Sequence, residues 1–407
     1  MNPYDRMACD TLIVGSGLAG LYCARELLKH SPHKTVVICE KYKLIGGRTF
    51  TFYHEDIQWE MGAGRISDDH TMVHRLLKEY GLHTLPIGEG LHYKETGNAS
   101  YEENHFEPAI DIVLGPLRML PDSILGSKTL RELMVGIYGE KDTQKWMNRF
   151  PYHAEVVVMR ADMALKEFFT EMHSHKGYTI CKEGLSALVD AMALDIRKRG
   201  GVFWVQHEVV EVSKGHVVLM NKGEKRPMNA KQIILAVPVN ALRKLSLFRR
   251  WKPLSYVAMS PLLRIYAKFE RPWFSGLSRI VTTSPIRYFL PINEEKGEAM
   301  ISYTDNVFAE HYMKMGEDAM KKAVMKDLRQ LFPEREIPDP LVFESFRWDD
   351  GVSYWLPGDY SPATVSRESL HPFPGIYVCG EGFSLRQGWM EGALENASDL
   401  LKQHLLS

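Results

Sequence analysis

The residues best suited to chemistry stand near the N-terminus, where glycines and charged side chains recur at short spacing. Gly15-Ser16-Gly17-Leu18-Ala19-Gly20 follows a β-rich run at residues 10–14 and opens a stretch with apolar residues at helical spacing, residues 18–29. In that setting Gly15 permits a tight turn, Gly17 lets the backbone approach a pyrophosphate, and Gly20 lets strand and helix pack closely. Ser16, Leu18 and Ala19 lie on the same turn, where backbone N–H groups and the positive end of the helix offer themselves to phosphate. Glu40 closes the next β-rich run at the spacing of an acid that accepts hydrogen bonds from a ribose diol, with Lys41 beside it. Ile45-Gly46-Gly47-Arg48-Thr49 then combines close backbone approach with a cation. Trp59-Glu60-Met61-Gly62-Ala63-Gly64-Arg65 adds a glycine-rich turn and a second arginine, where a bulky ring system would lie against main chain. These groups indicate dinucleotide binding, and the glycine turn alone leaves NAD and FAD both open.

The elements that must position them read as a β-α-β unit, because a second β-branched run at residues 35–38 follows the Ser31-Pro32 break. More β character occurs at residues 202–212, 216–220 and 233–237, with Asn221-Lys222-Gly223-Glu224 as a hairpin turn. A last β run at residues 375–379 leads into a helical stretch from Met390. Two inserts separate these blocks. The first is mainly helical, and the second mixes strands at 262–269 and 299–304 with a helix at 318–331. The expected organisation is a nucleotide domain in three pieces, residues 1–66, 178–251 and 351–407, interwoven with a substrate domain of residues 67–177 and 252–350.

The chain has 407 residues, 45% hydrophobic and 25% charged, so disordered and fibrous classes drop out. A net charge of -1 gives no electrostatic reason to expect nucleic acid or an anionic membrane as partner. There is no signal-like apolar segment at the N-terminus and no run of about 18 apolar residues. The expectation is a cytoplasmic protein, with nuclear or virion-associated locations left open. Five cysteines, none in a C-x-x-C pair, suit a reducing compartment. His153, His173 and His175 lack the spacing of a structural zinc site, so no metal is expected.

Together, the three N-terminal motifs resemble the signature of the flavin amine oxidase superfamily, including a looser likeness to the compact type of large DNA viruses. The resemblance extends to Lys182-Glu183-Gly184-Leu185-Ser186-Ala187-Leu188, to His207-Glu208-Val209-Val210-Glu211-Val212 and to Ile233-Ile234-Leu235-Ala236-Val237-Pro238. Its most specific part is Tyr377-Val378-Cys379-Gly380-Glu381 followed by Gly388-Trp389-Met390-Glu391-Gly392-Ala393. It implies an α/β fold: an FAD-binding Rossmann-like nucleotide domain of the glutathione-reductase type with an interwoven α+β substrate domain. It also implies FAD as cofactor, with Val209 at the adenine and Ala236 in the strand-to-turn segment. Gly380 and Glu381 would lie along the ribityl or pyrophosphate, and Gly388, Trp389 and Met390 at the flavin end.

The implied reaction removes a hydride equivalent from the carbon beside an uncharged amine of a small-molecule substrate, giving an imine, with O2 reduced to H2O2. Two rings would flank the amine. Trp389 fills one position, and Tyr354, with Ser353 or Trp355 as the alternative registers, fills the other. Relatives that attach FAD covalently do so through a cysteine at a position held here by Val352 or Ser353, so the FAD is expected to be non-covalent. Counting back from Arg271-Pro272-Trp273-Phe274 places Arg264 where most active relatives have a lysine, with Lys268 four residues further on along the same face of the strand. Arginine is a permanent cation and cannot act as a base. Three readings follow for this chain: an amine oxidase acting on a polyamine, monoamine or amino acid; a protein that keeps FAD structurally with weak or lost activity; and a desaturase or dehydrogenase of the same fold. A surface arginine in an ion pair is the plain alternative for Arg264.

Overall fold

A computed structural model describes residues 8–87, 90–103, 106–172 and 177–406, and only the backbone of Glu107. The chain divides into two compact units. The first comprises residues 1–85, 178–259 and 360–407, the second residues 86–177 and 260–359.

In the first unit the strand Ala8–Val14 lies parallel to both Val36–Cys39 and Glu224–Leu235, with Ile13 opposite Ile38 and Ile234. Its residues from Thr11 to Val14 are all buried, as the unbroken apolar run requires of a strand covered on both faces. Glu224–Leu235 serves two further partners. Its first half pairs antiparallel with His216–Asn221, and its second half lies parallel to Ile376–Val378, bringing the C-terminal piece into a seven-stranded sheet. The hairpin turn has Lys222 at φ 50° and Gly223 at φ 83°, the left-handed pair that a two-residue connection favours. Helices Leu18–His30, Leu185–Lys198 and Met390–Leu400 cover the sheet, burying Leu21, Leu28, Leu188, Met192, Leu394 and Leu400 in one apolar cluster.

The second unit is built on a six-stranded sheet in which Val342–Trp355, Val257–Lys268 and Glu298–Asp305 are successive neighbours. Leu91–Lys94, from the first insert, pairs parallel with Arg279–Thr282 from the second, so the two inserts form one body. Helix Leu130–Met147 starts at a reciprocal cap: Thr129 Oγ1 accepts from the Glu132 N–H, and the Glu132 carboxylate accepts from the Thr129 N–H.

The unit boundaries differ from the expected ones. Helix Thr71–Glu79 belongs with the nucleotide elements, because its buried stripe of Val73, Leu76 and Leu77 joins their apolar cluster. The last junction moves from 350 to 359 because Val342–Trp355 is one uninterrupted strand. Among the described residues no helix is long and apolar enough to cross a membrane.

Thr71–Glu79 has no capping side chain of its own at His70. Glu391, from the first turn of Met390–Leu400, supplies the cap: it accepts from the N–H groups of Met72 (2.8 Å) and Val73 (2.9 Å). Glu391 is 1% exposed, so these charge-assisted bonds are shielded from water. Glu391→Ala is expected to destabilise the protein by about 2–4 kcal/mol in denaturant unfolding; a change below about 0.5 kcal/mol would contradict the cap.

Candidate active site

The first unit gathers most of the sequence motifs at one turn. Gly15 follows Ala8–Val14 with φ 98°, and a Cβ there would collide with the Ala236 carbonyl oxygen. The Ala236 N–H donates to Val14 O at 2.8 Å, which holds that carbonyl over the turn. Gly20 is equally constrained, since a Cβ would run into the Gly15 carbonyl. At Gly17 the situation reverses: nothing lies within 4 Å of the place a Cβ would occupy. Helix Leu18–His30 begins there with no capping side chain and no acid in its first turn, leaving its N-terminal end to an anion.

Glu40 is buried, and its Oε2 accepts from Ser16 N at 3.0 Å and Ser16 Oγ at 2.8 Å. Its Oε1 accepts from Tyr42 N at 3.0 Å, so the carboxylate is fixed while keeping lone pairs for further donors. The Glu40 backbone receives the His207 N–H at 2.8 Å, which brings in Glu208–Ser213. Val209 stands half-buried on that strand opposite Leu219, and Lys41 Nζ lies 3.8 Å from Glu208 Oε1.

Gly46 N donates to Ser16 O at 3.0 Å, placing Gly46 and Gly47, both with positive φ, against Gly17. Ala63 N donates to Arg48 O at 2.9 Å, joining Gly62, Ala63, Gly64 and Arg65 to the same region. The Arg48 guanidinium is 3.0 Å from Glu381 Oε2, and Glu381 Oε1 accepts from Gly388 N at 2.9 Å. Gly380, with φ 126°, approaches Ala19. Helix Met390–Leu400 starts after Trp389 with no capping side chain at its N-terminal end. These residues fit a dinucleotide. Two glycines have no room for a side chain, a third borders open space, and a buried carboxylate and two helix ends stand beside them.

Trp389 has ring partners that the sequence did not indicate. Tyr178 lies nearly parallel to it, 6.3 Å between centroids and 9° between planes, and His70 meets it edge-on at 5.0 Å. The Arg65 guanidinium sits over both rings, 5.3 Å from the Tyr178 centroid and 5.6 Å from that of Trp389. One signal was available: Tyr178 opens the β-rich run that leads directly into Lys182-Glu183-Gly184. His173 and His175 lie outside the described residues. His153 is largely buried, and burial, then Arg287 and Arg131, pulls its pKa down to about 4.

In the second unit Arg264 is 6% exposed, so the reading of a surface ion pair is corrected. The strand is buried on both faces here: Leu263, Ile265 and Ala267 enter one apolar cluster, and Arg264 alternates with them, its guanidinium 4.7 Å from the Tyr303 ring centroid and 3.4 Å from the Tyr266 hydroxyl. Burial opposes its charge, but the oxygens of Tyr266 and Tyr303 favour it more, and its pKa rises above the ordinary arginine value. Ser353, Tyr354 and Trp355 are all buried, and Tyr354 alone of the three joins the helical apolar cluster, its hydroxyl 3.2 Å from Glu155 Oε1. All five cysteines are buried free thiols.

The model of the family described as flavin containing amine oxidoreductase matches residues 18–399. The chain belongs to that family. Among its relatives, an uncharacterized protein of Acanthamoeba polyphaga mimivirus is 32% identical, with 99% of this chain and 95% of the relative covered. L-amino-acid oxidase of Mus musculus is 25% identical over 95% of this chain and 69% of its own length. Flavin-containing amine oxidase B of Homo sapiens is 32% identical over a stretch covering 20% of this chain and 15% of that enzyme. Among solved structures, putrescine oxidase bound to putrescine has a TM-score of 0.74 at 17% identity, over 98% of this chain and 100% of that one. The fold is thus that of a flavin-dependent amine oxidase.

If Glu40 holds the ribose end of a dinucleotide, Glu40→Ala weakens FAD binding at least tenfold, about 1.4 kcal/mol or more, in a fluorescence titration of apoprotein. Unchanged affinity would refute that placement.

Proposed function

We propose that this amine oxidoreductase binds FAD non-covalently and oxidises the amine of an α-amino acid to the imine, with O2 reduced to H2O2. The bound FAD supplies the hydride acceptor and the route to O2. The observation that carries the substrate class is Arg65, held over both Trp389 and Tyr178. A guanidinium resting on an aromatic wall presents a rigid fork of donors that matches the geometry of a carboxylate, which suits an amino acid. The rings themselves exclude water, and desolvation favours the uncharged amine from which a hydride can leave. The naming of the Mus musculus relative as an L-amino-acid oxidase points the same way.

For the nucleotide, Gly15 to Gly20 with Arg48 would cradle the pyrophosphate and Glu40 the ribose, while Glu381, Gly388 and Met390 would hold the flavin end. Within the second unit, Tyr354 supplies the other ring implied by the family. Arg264 would be the donor that orients a water or substrate oxygen, since it cannot take up a proton. A second reading, a flavoprotein without oxidase turnover, rests on that same arginine.

Anaerobic mixing of the FAD-loaded protein with panels of L-amino acids, monoamines and polyamines separates the readings. Bleaching of the flavin band by amino acids is expected. Arg65→Ala should raise the amino-acid KM by about 10- to 100-fold, the range for losing a charge-assisted contact, and should raise that of a matched amine without a carboxylate far less. Bleaching by polyamines alone would overturn the amino-acid assignment, and bleaching by none of the three panels would favour the second reading.

A further inference from the structure

Glu155 is a carboxyl group that none of the roles above uses, and its surroundings set it apart. It lies on the short helix Ala154–Val157, 8% exposed, with Oε1 accepting from the Tyr354 hydroxyl at 3.2 Å and Oε2 buried with no hydrogen-bond partner among the described residues. The groups facing it are few. Tyr354 comes from Val342–Trp355, Glu167 from the helical turn Glu167–Glu171, and Asp305 from the end of Glu298–Asp305.

Asp305 is itself occupied. Its carboxylate accepts from the N–H groups of His153 (3.0 Å) and Ala154 (2.6 Å), capping the helix that carries Glu155, and Arg287 faces it. Tyr303, over which Arg264 lies, faces Tyr354. Burial, then Asp305, raises the Glu155 pKa well above the ordinary carboxyl value. The result is a carboxyl group that favours its neutral form, connected through one hydroxyl to the ring assigned above to the substrate amine.

An amino acid arrives as an ammonium ion and must lose a proton before a hydride can leave its α-carbon. We propose that Tyr354 and Glu155 take that proton. An N–H bond of the ammonium breaks as its proton bonds to the Tyr354 oxygen, while the original Tyr354 proton passes along the 3.2 Å contact to ionised Glu155. Two opposite charges become a neutral amine and a neutral acid, with no change in total protonation. Such neutralisation is favoured where water is excluded, because burial penalises both charged forms. Glu155 acts through Tyr354 and is a positioning and proton-accepting partner; the residue meeting substrate is Tyr354. The relay rests on the reading that the chain oxidises amines with Tyr354 at the amine.

The sign of the pH dependence follows. With the pair intact, the productive state needs one proton shared between amine and Glu155. The rate of anaerobic flavin reduction at low substrate therefore falls as pH drops through the Glu155 pKa, whatever the basicity of the amine. Without the acceptor, only substrate already neutral in solution is productive, and the limb moves to the amine's own pKa. Rates are measured for an amino acid from the panel above and for its side-chain-fluorinated analogue, whose ammonium is more acidic.

In the wild type both substrates should share one acid limb. In Glu155→Gln and Tyr354→Phe the limbs should separate and follow each amine, with a loss of about 100-fold at two pH units below the amine pKa. At pH below the acid limb, infrared spectra of the FAD-loaded protein should show a protonated-carboxyl band that Glu155→Gln removes. Tyr354→Phe keeps the ring and decides the matter if Glu155→Gln does not fold. A wild-type limb retained in the variants, with turnover intact, overturns the relay alone. Absence of flavin reduction by any amine in the wild type removes the amine-oxidising reading and the relay with it.

Discussion

The ion pair between Arg48 and Glu381 joins positions 333 residues apart in the chain, and the architecture of the first unit depends on such a closure. Glu381 is buried, so its charge must be met locally, and the Arg48 guanidinium and the Gly388 N–H meet both oxygens. Each partner is fixed by a different motif. Arg48 follows the glycine pair that lies against Gly17, and Glu381 follows the strand Ile376–Val378, which completes the parallel sheet. The contact can form only when the glycine turn, the sheet and the C-terminal helix are all in place. A dinucleotide site made from both ends of a long chain therefore needs no continuous domain, only sheet pairing that returns the C-terminus beside Glu224–Leu235.

Much of this was legible because backbone constraints leave traces in residue type. Gly15 and Gly20 are glycines where a side chain would strike a carbonyl, and the hairpin turn carries Gly223 where φ is positive. The strand and helix periods also held, since each reports which side of one element is dry. The sequence was weaker where two remote side chains meet. Tyr178 and Trp389 stack across 211 positions, and nothing local to either residue marks the other as its partner. The cap that Glu391 provides for Thr71–Glu79 is hidden for the same reason. The unit boundaries lie away from the expected ones in part because a short amphipathic helix does not reveal which core will accept it, and because one long strand crosses the expected last junction.

Within each unit, charge is held where the proposed role needs it. Arg65 and Arg264 are both held at aromatic faces, where a guanidinium keeps its charge and presents directed donors while its flat face rests on a ring. Glu155 has the opposite character, a carboxyl group pressed toward neutrality by burial. Permanent cations for orientation and one neutralisable acid for the proton match what oxidation of an amino acid asks of a protein, while a flavin performs the electron chemistry.

The claim beneath all of this is that the two ends of the chain hold FAD without a covalent link. Acid precipitation of the purified protein, followed by flavin analysis of supernatant and pellet, tests it most directly. The account predicts about one FAD per chain in the supernatant and a colourless pellet, since no cysteine stands at positions 352 or 353. Flavin retained in the pellet, or a protein purified without any flavin and unable to take it up, would contradict it.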